Sequence, residues 1–355
     1  KVVHTNFAIA LYGGLALTII TVAFTPQFLA WIDTPAEVMG PAIRYMRILF
    51  AGLIPVMVYN MGSAVLRSVG DSVRPFNFLA IAAGLNILLD LIFVGVLKMG
   101  AVGAGIATAL AQSVSGILVM LSLLKTTDIY RLRLKRIRFH KASLERIVAI
   151  GLPAAISGGL IALSNVIIQA QINVFGAQAI AGVAAASRVD GFVFTSLEAF
   201  ALAITTFVGQ NIGAKQHKRL KSGIVTALAM TLIFVASVSS ILVIFRTPLM
   251  KIFTMEKDVI FYGAKMIVIL APFYVIFSTT EVLSGAIRGS GTAVPIMVIT
   301  LIGMFIIRLS WIFIAMPMYK TIDIICWSYP ISWVFTWMLT MIYYFKGKWR
   351  VNMDA

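Results

Sequence analysis

The sequence predicts an all-α protein that crosses a membrane many times, and three observations carry that reading. Of 355 residues, 60% are hydrophobic and 12% charged, with a mean hydropathy of +0.98; ordinary globular chains run about 45–50% apolar and roughly 25% charged. A globule of this size lacks the interior to hide so many apolar side chains, so most must face lipid or other helices. The apolar residues also come in runs of about 20, the length of helix that spans a ~30 Å hydrocarbon core. Finally, the connections between runs alternate between rich and poor in Lys and Arg, as they do across a bilayer.

Ten spans follow in order, near 6–29, 44–66, 76–97, 102–124, 147–172, 178–207, 222–245, 260–286, 294–316 and 325–346. Helix breakers punctuate them: Thr25-Pro26 and Thr34-Pro35, the stretch Gly70 to Pro75, Gly100 with Gly103, Gly151-Pro153, Thr247-Pro248, Gly289 to Pro295, and Met316-Pro317. Barrel strands would alternate polar and apolar over about ten residues, and these runs do not. One side of the membrane collects Lys1, Arg67, Arg74, segment 125–146, Lys215, Lys218, Arg219, Lys221, Arg288, Lys346, Lys348 and Arg350. The other holds mainly Lys98, Arg246, Lys251, Lys257 and Lys320, offset by Asp33, Glu37, Glu256 and Asp323. The rich side is expected to be cytoplasmic, with both termini there. Trp31, Trp311, Trp327 and Trp349 fall near predicted helix ends, as interfacial anchors should, whereas Trp333 and Trp337 lie inside the last span.

Composition also excludes functions. The net charge of +16 follows from topology and does not call for nucleic acid. A single Cys326 and the scattered His4, His140 and His217 leave no basis for a disulfide scaffold, a zinc site or an iron–sulfur cluster. Neither a P-loop nor a GxSxG turn is present, so the sequence gives no support to ATP-driven pumping or hydrolase chemistry, and no cofactor is expected.

The basic segment 125–146 reads as a cytoplasmic linker between halves; the alternative is a switch helix that binds anionic lipid. The halves themselves repeat. Sliding the chain by 221 positions lays Leu66-Arg67-Ser68-Val69-Gly70-Asp71 over Ile287-Arg288-Gly289-Ser290-Gly291-Thr292, and Glu37-Val38 over Asp258-Val259. Residues 1–124 then hold the last four helices of a first repeat, and 147–355 a complete six-helix second repeat. The expectation is a fragment of a twelve-helix protein that lacks roughly its first 75 residues, with halves related by a pseudo-twofold along the membrane normal.

Several stretches, in order, resemble the multidrug and toxic compound extrusion family of cation-coupled efflux transporters. They are the paired Arg67 and Arg288 loops, Leu85-Asn86-Ile87-Leu88-Leu89-Asp90 followed by Gly100-Ala101-Val102-Gly103-Ala104-Gly105, Gly151-Leu152-Pro153, and Phe207-Val208-Gly209-Gln210-Asn211-Ile212-Gly213-Ala214. Arg188-Val189-Asp190 looks most like bacterial branches. The resemblance implies two six-helix bundles around a cleft that opens alternately outward and inward. It further implies an inner-membrane antiporter that exports cationic drugs or toxic organic compounds in exchange for Na+ or H+. A lipid-linked oligosaccharide flippase of the same superfamily is the alternative.

Ionisable groups inside spans are costly, so they mark where function should lie. Glu198, about 14 Å from the inner end of its helix and close to the midplane, leads the candidates for cation or substrate binding. Asp190, eight residues earlier on that helix, is expected to line the same cavity. Glu281 and its repeat counterpart Asn60 make a polar position that recurs in both halves. Asp90 and Asn86, one turn apart, are expected to form a polar cluster. Asn165 and Gln169 are placed to line the cleft or to join helices, and Arg308 to neutralise one of the acids. Arg67, Asp71, Arg288 and Arg188 are read as structural or gating residues. The members of one branch place an acid where Asn165 stands, so the coupling ion stays open between Na+ and H+. A monomer is expected.

Overall fold

The computed structural model describes residues 1–32 and 34–350, so Asp33 and the side chain of Arg350 lie outside the described residues. Among these residues ten helices are long and apolar enough to cross a membrane. They are α1 (Val2–Trp31), α2 (Ala36–Ser68), α3 (Val73–Val96), α4 (Gly100–Lys125), α5 (Lys141–Asn173), α6 (Ala177–Gly213), α7 (His217–Ile244), α8 (Lys257–Gly289), α9 (Val294–Met318) and α10 (Ile322–Lys346). Each predicted span has its helix, and no strand occurs among the described residues. The ends move outward, as at Lys141 rather than 147 and Gly213 rather than 207. Backbone hydrogen bonds continue the helix into the aqueous layer, where hydropathy no longer marks it.

The chain divides into two compact units, Lys1–Arg146 and Ile147–Ala355. In the first, α2 meets α4 through glycines: a Cβ at Gly116 would lie 2.8 Å from the Pro55 carbonyl oxygen, and one at Gly62 would lie 2.9 Å from Val119. Lipid tails are as apolar as leucine, so close backbone approach of this kind has to supply the association. Phe7, Val58, Leu66, Val119, Leu123 and Leu132 fill the core beside it.

Leu132 comes from the basic segment, which folds back on its own unit. Its N–H donates to the Leu123 carbonyl (2.9 Å), the Arg133 N–H to His4 Nε2 (3.2 Å), and the His140 N–H to Thr5 Oγ1 (3.2 Å). Among the described residues of this segment the only helical turn before α5 is the 3-10 turn Leu134–Arg136, not the amphipathic helix that a lipid switch needs. Like charges at helical spacing, Arg131 with Lys135 and Arg133 with Arg136, work against such a helix.

The repeat is visible in the backbone. α2 is interrupted at Gly52 and α8 at the 3-10 turn Ala271–Phe273, positions equivalent under the offset of 221. Both helices end in the same turn, with Gly70 at φ 90° and Gly291 at φ 89°. The N–H groups of Asp71 and Thr292 return to the carbonyls of Leu66 and Ile287. Only glycine takes that φ without strain, and the turn satisfies carbonyls that the helix end leaves open.

In the second unit α6 is the central helix. It packs on α8 at Gly285, where a Cβ would lie 2.6 Å from the Ala201 carbonyl oxygen and where Thr205 Oγ1 donates to the Gly285 carbonyl (2.9 Å). Of the expected anchors, Trp31 is 75% exposed, whereas Trp349 is 1% exposed and corrects the expectation. From the 3-10 turn Lys348–Arg350 its indole N–H donates to the Tyr344 carbonyl of α10 (2.9 Å), and the ring is buried in a second core.

Candidate functional site

Five helices of the second unit line one cavity of about 320 Å³, each with a pair of side chains four residues apart and α6 with Leu197 besides. The pairs are Ile161 and Asn165 on α5, Phe194 and Glu198 on α6, Phe277 and Glu281 on α8, Met304 and Arg308 on α9, and Tyr329 and Trp333 on α10. Residues four apart share one face of a helix, so each helix turns a single stripe inward. In four of the five the second member is polar. The result is an aromatic and apolar wall beside a polar end.

The wall is built on Trp333. Its ring lies 5.2 Å from Phe277, 6.1 Å from Phe194, 6.0 Å from Tyr329 and 5.8 Å from Tyr274, and Phe194 meets Phe277 edge-on at 5.3 Å. Tilted and edge-to-face rings at these separations are mutually favourable, and their faces attract cations. Sequence reasoning missed this cluster. Its one signal was Trp333 itself, a tryptophan in the middle of a span where the interfacial rule expects none.

At the polar end the two carboxylates differ. Glu281 is paired with Arg288, two turns along α8, at 3.7 Å. Glu198 faces the cavity with no hydrogen bond or ion pair among the described residues, close enough to Glu281 for the two charges to repel. An open carboxylate beside aromatic faces binds an organic cation by charge and by cation–π contact.

Arg308 departs from expectation: it neutralises no acid. It is 2% exposed, and its guanidinium donates to Ser332 Oγ (2.9 Å), to Asn165 Oδ1 (3.5 Å) and to Met304 Sδ (3.2 Å), with the Tyr329 ring 4.7 Å beneath it. The π-helical turn Leu301–Ile307 immediately precedes it and shifts the register of α9. Neutral dipoles and an aromatic face hold the charge: Glu281 pairs with Arg288, Asp190 with Tyr274, and Glu198, on the same cavity, makes no ion pair with it among the described residues.

Asp190 corrects a second expectation. It does not line the cavity with Glu198; it is 3% exposed between α6 and α8, where the Tyr274 hydroxyl donates to its Oδ1. The eight-residue spacing on α6 allowed a shared cavity, but Asp190 is not among the residues that line it and is bonded to Tyr274 instead. Arg188 points the other way, into a shallow recess with Thr254 and Glu256.

The remaining candidates stand apart from the cavity. Gln169 donates to Asn173 Oδ1 (3.1 Å) along α5. In the first unit Asn60 is exposed on α2 and Arg67 is half-buried near its end. Asp71 pairs with Arg74 (3.0 Å) and accepts the Arg74 N–H, which starts α3. Asp90 and Asn86 do not form the expected cluster: the buried Asp90 Oδ1 and Asn86 Nδ2 make no hydrogen bond, to each other or to another group. The helix changes to π winding at Leu91, immediately after Asp90.

A multi-pass membrane protein with ten candidate spans among the described residues, and a charged, aromatic-lined cavity between five of them, is a transporter by class. The MatE family model matches residues 1–92 and 153–314, and the chain belongs to that family of multidrug efflux transporters. It is similar to a probable multidrug resistance protein, YpnP, of Bacillus subtilis, with 26% identity over 98% of this chain and 78% of the relative. It is similar also to a probable multidrug resistance protein, NorM, of Thermotoga maritima, with 26% identity over 96% and 75%. Among solved structures, an outward-facing multidrug resistance MATE family transporter of the MOP superfamily shares the fold, with TM-score 0.89 and 20% identity over 100% of this chain and 79% of that one. A MOP superfamily transporter from Pyrococcus furiosus shares it as well, with TM-score 0.89 and 21% identity over 99% and 78%.

Proposed function

We propose that the protein is a secondary active antiporter that exports cationic organic compounds in exchange for Na+ or H+ by alternating access. Glu198 is the principal ligand for the organic cation and Glu281 its neighbour. The observation that carries this reading is the unpaired Glu198 carboxylate in a cavity walled by Phe194, Phe277, Tyr329 and Trp333. Asn165 extends the polar end. The lobes are residues 1–124 and 147–355, joined by the linker 125–146, in a monomer whose Lys- and Arg-rich face and termini are cytoplasmic. Arg67, Asp71, Arg188 and Arg288 act at the helix ends as structural or gating groups.

The alternative, flipping of a lipid-linked oligosaccharide, has one observation in its favour: Arg308 faces the same cavity with no carboxylate within 4.0 Å and would pair with a phosphate. Ethidium efflux from energised membranes, with Na+ and pH gradients imposed separately, decides between them. The antiporter reading expects efflux that follows one gradient and is lost in Glu198→Gln. Membranes that hold the protein and move no organic cation under either gradient would sink it and bring the lipid substrate forward.

A further inference from the structure

We propose that Asp190, together with Tyr274, is a proton-binding site separate from the cation cavity, and that its protonation is felt by the cavity through the Tyr274 ring. The proposal rests on the antiporter reading and assigns the driving ion and the acid that carries it.

The geometry makes this a site for a proton and not for Na+. A hard metal cation needs a shell of several oxygen ligands. Asp190 has one polar partner, the Tyr274 hydroxyl, and is buried among Val189, Val193 and the aromatic cluster. Among the described residues no three His, Cys, Asp or Glu side chains come together to hold a metal. A proton needs only the carboxylate itself. Asp190 and Glu198 are eight residues apart on α6, about 12 Å along the helix, so the two acids can be occupied independently.

The groups around Asp190 can be counted helix by helix. On α8 there is Tyr274, with Lys265 further along the helix paired to Asp323 of α10 at 2.7 Å. On α10 Cys326 and Tyr329 lie within electrostatic reach, and Arg308 of α9 stacks on the far face of Tyr329. At this level α7 offers Ser239, which is committed to the Ala271 carbonyl, and its ionisable residues end at Lys221. α5 contributes Ile168 and Ile172 to the same core. On α6 itself Arg188 faces away. No fixed cation therefore holds Asp190 ionised; only the Tyr274 hydroxyl does.

That hydroxyl belongs to a ring that touches the wall of the cavity. Tyr274 lies 5.7 Å from Phe194 and 5.8 Å from Trp333, both of which line the cavity. It is also the first residue after the 3-10 turn Ala271–Phe273, where α8 is interrupted. When Asp190 is ionised, it accepts from Tyr274 and fixes the ring. A proton taken from water changes the pair from −1 to neutral and makes the carboxyl a donor, so the Tyr274 hydroxyl is no longer required to point at it. The ring, the break in α8 and the walls formed by Phe194 and Trp333 then relax together. Binding of a proton at Asp190 and of an organic cation at Glu198 thus oppose each other through a shared wall.

The test uses the full chain, purified and reconstituted, with tetraphenylphosphonium as the probe. The wild type is expected to bind it at least tenfold more weakly at pH 6 than at pH 8 and to transport it under a pH gradient. Asp190→Asn, which fixes the site in its uncharged form, is expected to bind it within threefold of the wild-type pH 6 affinity at both pH values, and to lose gradient-driven transport. Tyr274→Phe removes the donor that favours the ionised carboxylate, so the midpoint of the pH dependence moves to higher pH. A purely structural role would not move it. Infrared difference spectra of the ligand-free protein give an independent readout: a protonated-carboxyl band that titrates in the wild type, moves in Tyr274→Phe and is missing in Asp190→Asn. Glu198→Gln is expected to lose probe binding at least tenfold while keeping that band. Probe binding untouched by Glu198→Gln would refute the function proposed for the cavity and leave the Asp190 band to be judged by itself. Asp190→Asn that keeps gradient-driven transport and the wild-type pH dependence, or an unchanged carboxyl band, would overturn the proton site.

Discussion

Helices α2 and α8 break at equivalent points, Gly52 and the turn Ala271–Phe273, and end in turns whose glycines share φ to within a degree. Their side chains differ at each position that matters. After the break α2 carries Leu53 where α8 carries Tyr274, Asn60 where α8 carries Glu281, and Ala64 where α8 carries Gly285. The first helix presents an exposed amide; the second presents a phenol bonded to a buried acid, a carboxylate facing a cavity, and a glycine that lets α6 approach. Duplication preserved the backbone device, and substitution at a few positions along one helix concentrated the ionisable chemistry in the second unit.

That contrast can be broken or sharpened by substitution, from large effects to small. Trp333→Ala should be the most damaging, about 3–5 kcal/mol of stability for a buried aromatic together with a loss of cation affinity. Its repeat counterpart Gln112→Ala should cost less than about 1 kcal/mol, both read from thermal unfolding in detergent; equal costs would mean the aromatic cluster is not what distinguishes the units. Gly285→Ala meets the Ala201 carbonyl and should cost about 1–3 kcal/mol, whereas Ala64→Gly at the exposed counterpart should cost about 0.5–1 kcal/mol through helix propensity alone. Gly70→Ala and Gly291→Ala should each cost about 1–2 kcal/mol, equal within experimental error if the two turns are the same device. Asp71→Ala, which removes an exposed pair with Arg74 and one capping bond, should cost only about 1 kcal/mol, close to the two counterpart substitutions Gln112→Ala and Ala64→Gly. A larger loss there would give that loop a role beyond starting α3.

The ten spans, their order and the tandem repeat were legible in the sequence because hydropathy acts locally: a run long enough to cross the bilayer must be helical, and its breakers show where it stops. The same local reading picked out Glu198, Glu281, Asn165 and Arg308 as polar groups inside spans, and all four line the cavity. It could not say how they pair. Whether Arg308 meets an acid or the Asn165, Ser332 and Tyr329 side chains depends on helices far apart in sequence and on a π turn that no composition signals.

By itself, then, the sequence determined that this chain lives in a membrane, how many times it crosses, and which residues are too costly to bury there without purpose. The tertiary structure alone decided that Glu198 faces a cavity while Asp190, on the same helix, is sealed against Tyr274. The reason is physical. Burial in lipid is a property of each segment and its composition, whereas the partner of a buried charge is chosen by helix crossings, and those are set by where glycines allow two backbones to close.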